Sequence, residues 1–203
     1  GKVLDAAALE KIEKFWRDYE HDGDGIPQRT VPGVHPKGAY FTRGSGHNQY
    51  GGYTEDSRDY QIVVDRLRKK WVTASKLVPP AVIEASAGSD LAIITMGSGD
   101  GAVREAIARL TAMGVKLDYM RVRGFPFGDE VERFMSAHQM NFIVEQNRDA
   151  QLRALLTLET GVQKGHMRSI LHYNGMPLSA GYVVDGVMSA VQDKQRPAAQ
   201  LVS

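Results

Sequence analysis

Four short apolar runs, each followed by a segment of helical periodicity, fill the second half of this 203-residue chain. "LAIITM" precedes a glycine turn and "DGAVREAIARLTAM"; "VKLDYMRVRGF" precedes "GDEVERFMSAH"; "NFIVEQ" precedes "RDAQLRALLTLE"; "MRSILHY" precedes "SAGYVVDGVMSAVQ". Strands joined through helices of this size cannot pair as hairpins. They need crossover connections, and runs this apolar need cover on both faces. The spacing therefore predicts a three-layer α/β/α domain with a mainly parallel sheet over residues 80–203, ending in "KQRPAAQLVS" as a frayed tail. Residues 1–79 read as a helical and loop segment leading into it.

Within that first segment, "DAAALEKIEKFWRDYE" places Leu9, Ile12, Phe15, Trp16 and Tyr19 at helical spacing behind Asp5 as N-cap. Pro27, Pro32 and Pro36 break the periodicity of "HDGDGIPQRTVPGVHPKG" and make it loop. Its "DGDG" resembles the start of a calcium loop, but Ile26 stands at the fifth position and no glutamate follows at the twelfth, so an acidic turn is expected. "DSRDYQIVVDRLRKKWVTASKL" reads as a long amphipathic helix capped by Asp56, with Tyr60, Val63, Val64, Leu67 and Trp71 as its buried stripe. Arg66, Arg68, Lys69 and Lys70 crowd its second half, where the helix dipole favours cations. They are read as a solvated face, with an acidic partner as the second reading.

A net charge of +1 gives no electrostatic footprint for nucleic acid. No apolar run reaches the length of a membrane span, and the first residues lack a signal peptide's apolar core, so a cytoplasmic location is expected. Zero cysteines exclude disulfides, thiolate zinc sites and cysteine-held iron–sulfur clusters on this chain.

Three places have the residue types for chemistry. The aromatic, glycine-rich loop "YFTRGSGHNQYGGYTED" offers Arg43, His47, Asn48, Tyr50 and Thr54, groups that grip carboxylates, phosphates and amides, with Gly44 among the glycines that let it bend. It is either an ordered surface loop stapling the long helix or a ligand-facing one. The second place is "MGSGDGA", where Ser98 and Asp100 open a helix; Asp100 is either its N-cap or a polar group aimed at a ligand. Gly97, Gly99 and Ala102 also spell a dinucleotide fingerprint, with Asp118 as the acidic residue downstream, so a nucleotide- or NAD-binding module is an alternative. The third is "VEQNRDAQL": Glu145 ends an apolar strand beside Asn147 and Arg148, and a half-buried carboxylate there needs a partner, from Arg148 or from a neighbouring chain. Asp149 is the expected cap of the helix that follows.

From "YFTRGSGHNQYGGYTED" through "YQIVVDRLRKKW", then "LAIITMGSGDGAVREAIARL", "LDYMRVRGFPF", "VEQNRDAQLRALL" and "LHYNGMPL", the chain resembles the alpha subunit of the 2-oxoacid:ferredoxin oxidoreductases, most of all the 2-oxoglutarate type. The likeness runs from about residue 20 to about residue 188. It implies a transketolase C-terminal-like domain at 80–203, preceded by the end of a pyrimidine-binding-type domain. It also implies an enzyme that converts a 2-oxoacid and coenzyme A (CoA) to acyl-CoA and carbon dioxide. Thiamine diphosphate with Mg2+ and a 4Fe-4S cluster serve that reaction in the complex, and electrons pass to ferredoxin. None of these cofactors is expected on this chain alone. The implied partners are the beta subunit and the remaining alpha-subunit domains, and the chain by itself is expected to be inactive. Because two polar, glycine-rich loops flank a rigid sheet, Arg43, Gly44, His47, Asn48, Tyr50, Thr54, Ser98 and Asp100 are expected to form a gate over the substrate and CoA entrance. Glu145, Asn147 and Arg148 go to structure or subunit interface. A pure assembly domain is the remaining alternative.

Overall fold

The computed structural model describes residues 2–13, 23–39, 41, 46–48, 50–85 and 88–195, the last three by backbone alone. Phe15, Trp16 and Tyr19 of the expected first helix, Arg43, Gly44 and the tail 196–203 lie outside the described residues. The chain divides into two units, Gly1–Leu77 and Val78–Ser203.

The second unit is built on β4 (Leu91–Met96). β5 (Asp118–Val122) and β6 (Met140–Glu145) flank it in parallel, and β7 (Met167–Leu171) lies beyond β6. The order is β3-β5-β4-β6-β7. β3 (Val82–Glu84) pairs antiparallel with β5 at the edge. Sequence reading had passed it over, because three residues just after Pro79 and Pro80 carry no measurable period.

Helices α3 (Gly99–Ala112) and α6 (Ala180–Gln195) supply one covering layer. Their Val103, Ala106, Leu110, Val183 and Val187 pack with Ile93, Tyr119, Phe142, Val144 and Ile170. On α4 (Asp129–Ser136) and α5 (Gln151–Glu159), Val131, Phe134, Met135, Leu152 and Leu156 meet Ala92, Ile94, Met120, Val122 and Ile143. Successive residues of β4, β5 and β6 therefore enter opposite layers, the period-2 rule with both faces apolar. Each fully buried Ile, Leu or Phe adds about 1.5–3 kcal/mol from surface removed from water. Gly99 lets α3 start hard against β4, since a Cβ there would sit 2.5 Å from the Thr95 hydroxyl.

The amino-terminal end of this sheet is closed by a buried pair. His138 Nε2 meets Asp118 Oδ2 at 3.0 Å, and His138 Nδ1 meets the Phe134 carbonyl at 2.7 Å. Asp118 is the first residue of β5.

In the first unit, β1 (Lys2–Val3) and β2 (Gln28–Arg29) form a short parallel pair, β2 lying inside what read as loop. Helix α1 is only Ala6–Lys11, capped by Asp5 as expected and ended where Ile12 turns extended. The long helix α2 (Ser57–Ser75) is capped by Asp56, which accepts from the Arg58 and Asp59 amides. Its stripe corrects the expectation: Tyr60, Val64, Leu67 and Trp71 are 60%, 44%, 46% and 51% exposed. The side of α2 that this unit covers is instead the one bearing Arg66 and Thr73. The "DGDG" turn lies there: Arg66 donates to the Gly25 carbonyl at 3.1 Å and Thr73 to that of Asp24 at 2.6 Å. A Cβ on Gly25, whose φ is +75°, would fall 2.1 Å from the Lys70 nitrogen, so only glycine fits. Lys2 donates to Asp24 at 2.8 Å, and this bond holds the Asp24 carboxyl below its usual range.

Candidate functional site

The carboxyl ends of β4, β5 and β6 are where an open α/β sheet presents its loops. Two of the three sequence-predicted places meet here. Gln146 Nε2, in the turn after β6, donates to Ser98 Oγ at 3.0 Å, in the turn after β4. Beneath them Thr95 Oγ1 donates to the Val144 carbonyl at 3.1 Å, locking the two strand ends together.

Asp100 lies in the first turn of α3, while the cap position belongs to Ser98, whose side chain makes no capping bond. The Asp100 carboxylate accepts from the Tyr119 hydroxyl, from Arg104 Nε at 2.9 Å and from Arg121 Nη1 at 3.4 Å. Arg104 reaches on to Glu84 of β3 at 2.7 Å and lies over the Tyr119 ring, 4.9 Å from its centroid. The Tyr119 hydrogen bond, then the two arginines, hold the Asp100 carboxyl below its usual range. Burial, then the same hydrogen bond, pushes the Tyr119 phenol up. Asp100 is thus an anchor between α3 and β5. Sequence reading missed Tyr119, Arg104 and Arg121. Their signals were present: Arg104 stands four residues after Asp100 on one helix, and Tyr119 and Arg121 alternate onto one face of a strand.

Glu145 is 3% exposed, yet its carboxylate is fully engaged. It accepts from the Leu152 amide at 2.7 Å, the Arg153 amide at 3.2 Å and Asn147 Nδ2 at 2.7 Å. Asn147 Oδ1 in turn takes the Gln151 amide at 3.2 Å. Glu145 and Asn147 therefore close the start of α5, whose cap residue Ala150 is left-handed with φ 54°. Asp149, expected as the cap, pairs with Arg148 at 2.8 Å on the surface. The partner that the buried carboxylate requires within this chain is thus the helix amides and Asn147, not Arg148.

Between the ends of β4 and β5 and the start of α5 lies a cleft of about 590 Å³, lined among others by Met96, Gly97, Arg121, Arg123, Phe125 and Phe127. The two phenyl rings meet edge to face at 5.1 Å. The arrangement offers apolar walls and two guanidiniums, the makings of a site for an organic anion. It lacks the acidic arm of a dinucleotide site. Asp118 pairs with Ala92 in register, at the opposite end of the strands from the Gly97 turn, and is bound to His138.

The third place belongs to the first unit. His47 and Tyr53 bridge as an antiparallel pair and so close a tight hairpin. Asn48 holds it: its Oδ1 takes the Tyr50 and Gly52 amides at 3.0 and 3.1 Å, and its backbone bonds Gly52 and Gly51. Thr54 Oγ1 receives the Asp56 amide at 3.1 Å, tying the hairpin to the cap of α2. Tyr53, 52% exposed, donates to Glu55, and this bond raises its phenol's pKa. Among the described residues no three His, Asp or Glu side chains gather as a metal centre would need, and no helix is long and apolar enough to cross a membrane.

No protein-family model matches the chain. Curated relatives do. The 2-oxoacid:ferredoxin oxidoreductase subunit alpha of Saccharolobus solfataricus is 31% identical over 97% of this chain and 30% of its own length. Subunit alpha of oxidoreductase 2 from Aeropyrum pernix is 29% identical over 92% of this chain and 28% of its own. The chain thus spans about a third of the relatives it matches. Among solved structures, the 2-oxoglutarate:ferredoxin oxidoreductase of Magnetococcus marinus, with 2-oxoglutarate, coenzyme A and succinyl-CoA bound, shares the fold at a TM-score of 0.76. That match has 24% identity over 90% of this chain and 32% of the other. Over nearly its whole length, the chain belongs with the alpha subunits of the 2-oxoacid:ferredoxin oxidoreductases.

Proposed function

We propose that the chain is the C-terminal portion of the alpha subunit of a 2-oxoglutarate:ferredoxin oxidoreductase. The enzyme takes 2-oxoglutarate, CoA and oxidised ferredoxin to succinyl-CoA, carbon dioxide and reduced ferredoxin. The observation that carries this reading is the match of 97% of the chain to a 2-oxoacid:ferredoxin oxidoreductase alpha subunit. The choice of 2-oxoglutarate follows the ligands of the Magnetococcus marinus enzyme, whose fold the chain shares. Pyruvate and branched-chain 2-oxoacids are the competing substrates.

Thiamine diphosphate would supply the electron sink for decarboxylation. The described residues hold no ligand set for its magnesium, and without cysteine the chain has no thiolate for a 4Fe-4S cluster. Those groups are assigned to the beta subunit and the rest of the alpha subunit. This chain's part is support and access. In the first unit the hairpin with His47, Asn48, Tyr50 and Thr54, together with Arg43 and Gly44 before it, is read as a gating segment toward CoA or the 2-oxoacid. Asn48 gives it a fixed shape, so it acts as a positioned arm. In the second unit Ser98 and Asp100 set the turn at the sheet's end, and Arg121 and Arg123 offer charge to a carboxylate or phosphate.

The test is 2-oxoglutarate-dependent viologen reduction by this chain combined with the beta subunit and the remaining alpha-subunit polypeptide. His47→Ala and Asp100→Ala should each lower succinyl-CoA formation while leaving thiamine diphosphate affinity unchanged. Full turnover in both variants would remove the gate, and turnover with pyruvate alone would reassign the substrate.

A further inference from the structure

Asn174 and Gly175 stand in the turn that follows β7, and both are exposed. Glycine after asparagine leaves the next backbone nitrogen with no Cβ to shield it from the asparagine side chain. The turn itself adds to that. Asn174 Oδ1 accepts from the Met176 amide at 3.0 Å, which folds the side chain over the Gly175 peptide and polarises its Cγ carbonyl. Gly175 has φ +81°, and a Cβ on it would meet nothing within 4 Å, so the approach on that side is open. Among the described residues neither the Gly175 amide nor Asn174 Nδ2 has a hydrogen-bond acceptor. The other asparagines differ. None of Asn48, Asn141 and Asn147 precedes glycine. Asn141 is fully buried with its Nδ2 on the Met135 and His166 carbonyls, and Asn147 Nδ2 is held by Glu145.

We propose that Asn174 is a self-modification site. The Gly175 nitrogen gives its proton to hydroxide and attacks Asn174 Cγ. The bond from Cγ to Nδ2 breaks, Nδ2 takes a proton from water and leaves as ammonia, and a cyclic imide closes. Water then adds to either carbonyl of the ring and opens it, leaving an aspartyl or an isoaspartyl linkage at position 174. No electrons are exchanged, and water is the only co-reactant. The product carries a carboxylate where a neutral amide stood. β7 runs parallel to β6, as β4 does, so this loop lies at the same end of the sheet as the Ser98–Gln146 contact. Its far end reaches the Gly99 turn: Leu178 Cδ2 lies 3.8 Å from where a Cβ on Gly99 would stand. Its base is pinned, since Tyr182 donates to the Leu171 carbonyl at 2.6 Å and meets the His172 ring edge to face, with centroids 5.0 Å apart. The new charge therefore falls on the tip of a loop anchored at both ends. The inference goes beyond the oxidoreductase reading and does not depend on it.

The test is to hold the full 203-residue chain at mildly alkaline pH in heavy-oxygen water and follow its peptides by mass spectrometry. Loss of ammonia, uptake of the label, and separable aspartyl and isoaspartyl products at position 174 are expected, at a rate that rises with hydroxide. Asn141 and Asn147 should stay intact. Gly175→Ala should slow the reaction about tenfold, a barrier increase of about 1.4 kcal/mol. As a measure independent of any variant, the folded chain should react at least as fast as the same chain in urea, where only the Asn-Gly sequence acts. No product at position 174, equal reaction at Asn141 or Asn147, an unchanged rate in Gly175→Ala, or a folded rate below the unfolded one would overturn the site. Each of these leaves the oxidoreductase reading standing.

Discussion

The second unit buries Ile93, Phe142 and Val144 on one face of its sheet and Ile94, Met120 and Ile143 on the other. The first unit leaves Tyr60, Val64 and Leu67 of its longest helix in water. Both segments carry ample apolar residues. They differ in whether each apolar surface finds its complement within the same stretch of chain. In the second unit every layer does, so its fold is self-contained. In the first, polar clamps tie the described residues together: Lys2 to Asp24, Arg66 to Gly25, Thr73 to Asp24, and Asn48 across its hairpin. Such contacts fix local shape, but each contributes only about 1 kcal/mol net.

The largest expected effect comes from separating the two. Residues 78–203 alone should keep a cooperative thermal transition by circular dichroism, and residues 1–77 alone should show none; a cooperative melt of the shorter piece would break the contrast. Next is a matched pair of truncations. Phe142→Ala should cost about 3–5 kcal/mol in urea unfolding, whereas Leu67→Ala at an exposed position should change stability by no more than about 0.5 kcal/mol. Glu145→Leu removes the acceptor for two helix amides and an Asn side chain, and should cost about 3 kcal/mol through the donors left unpaired. Hydrogen exchange at Leu152 and Arg153 would locate the damage, and Glu145→Gln should cost less.

A smaller loss than that at Glu145 is expected for Asp100→Asn, about 1 kcal/mol at neutral pH, and its acid dependence sharpens the assignment. The folded carboxyl titrates below its ordinary 3.8, so its stabilisation is present above that pH and is lost as pH falls through the lower folded value. The wild type should therefore lose more stability than Asp100→Asn as the pH falls below 3.8. Parallel acid curves for the two would remove Asp100 from the α3–β5 joint.

The layered sheet was legible because β4 and β6 are uninterrupted apolar runs bounded by helices, a pattern few folds share. Asp56 was legible as a cap because its chemistry is local. The stripe on α2 was visible as a pattern, but a pattern states which residues want cover and is silent on where the cover comes from. The role of Glu145 was hidden for a related reason. Its carboxylate serves amides seven and eight residues onward, across a left-handed Ala150 that no propensity forecasts. The Asp100 anchor joins α3, β5 and β3, elements whose contacts appear only once the sheet order is known.

The internal closure of α5 has one more consequence. In many folds of this class the first amides of a helix at the sheet's end serve as the seat for a phosphate. Here Gln151, Leu152 and Arg153 have already given theirs to Asn147 and Glu145, and the positive pole of the helix is neutralised from inside. An anion arriving at that mouth meets a door already shut and must turn to the guanidinium groups of Arg121 and Arg123 instead.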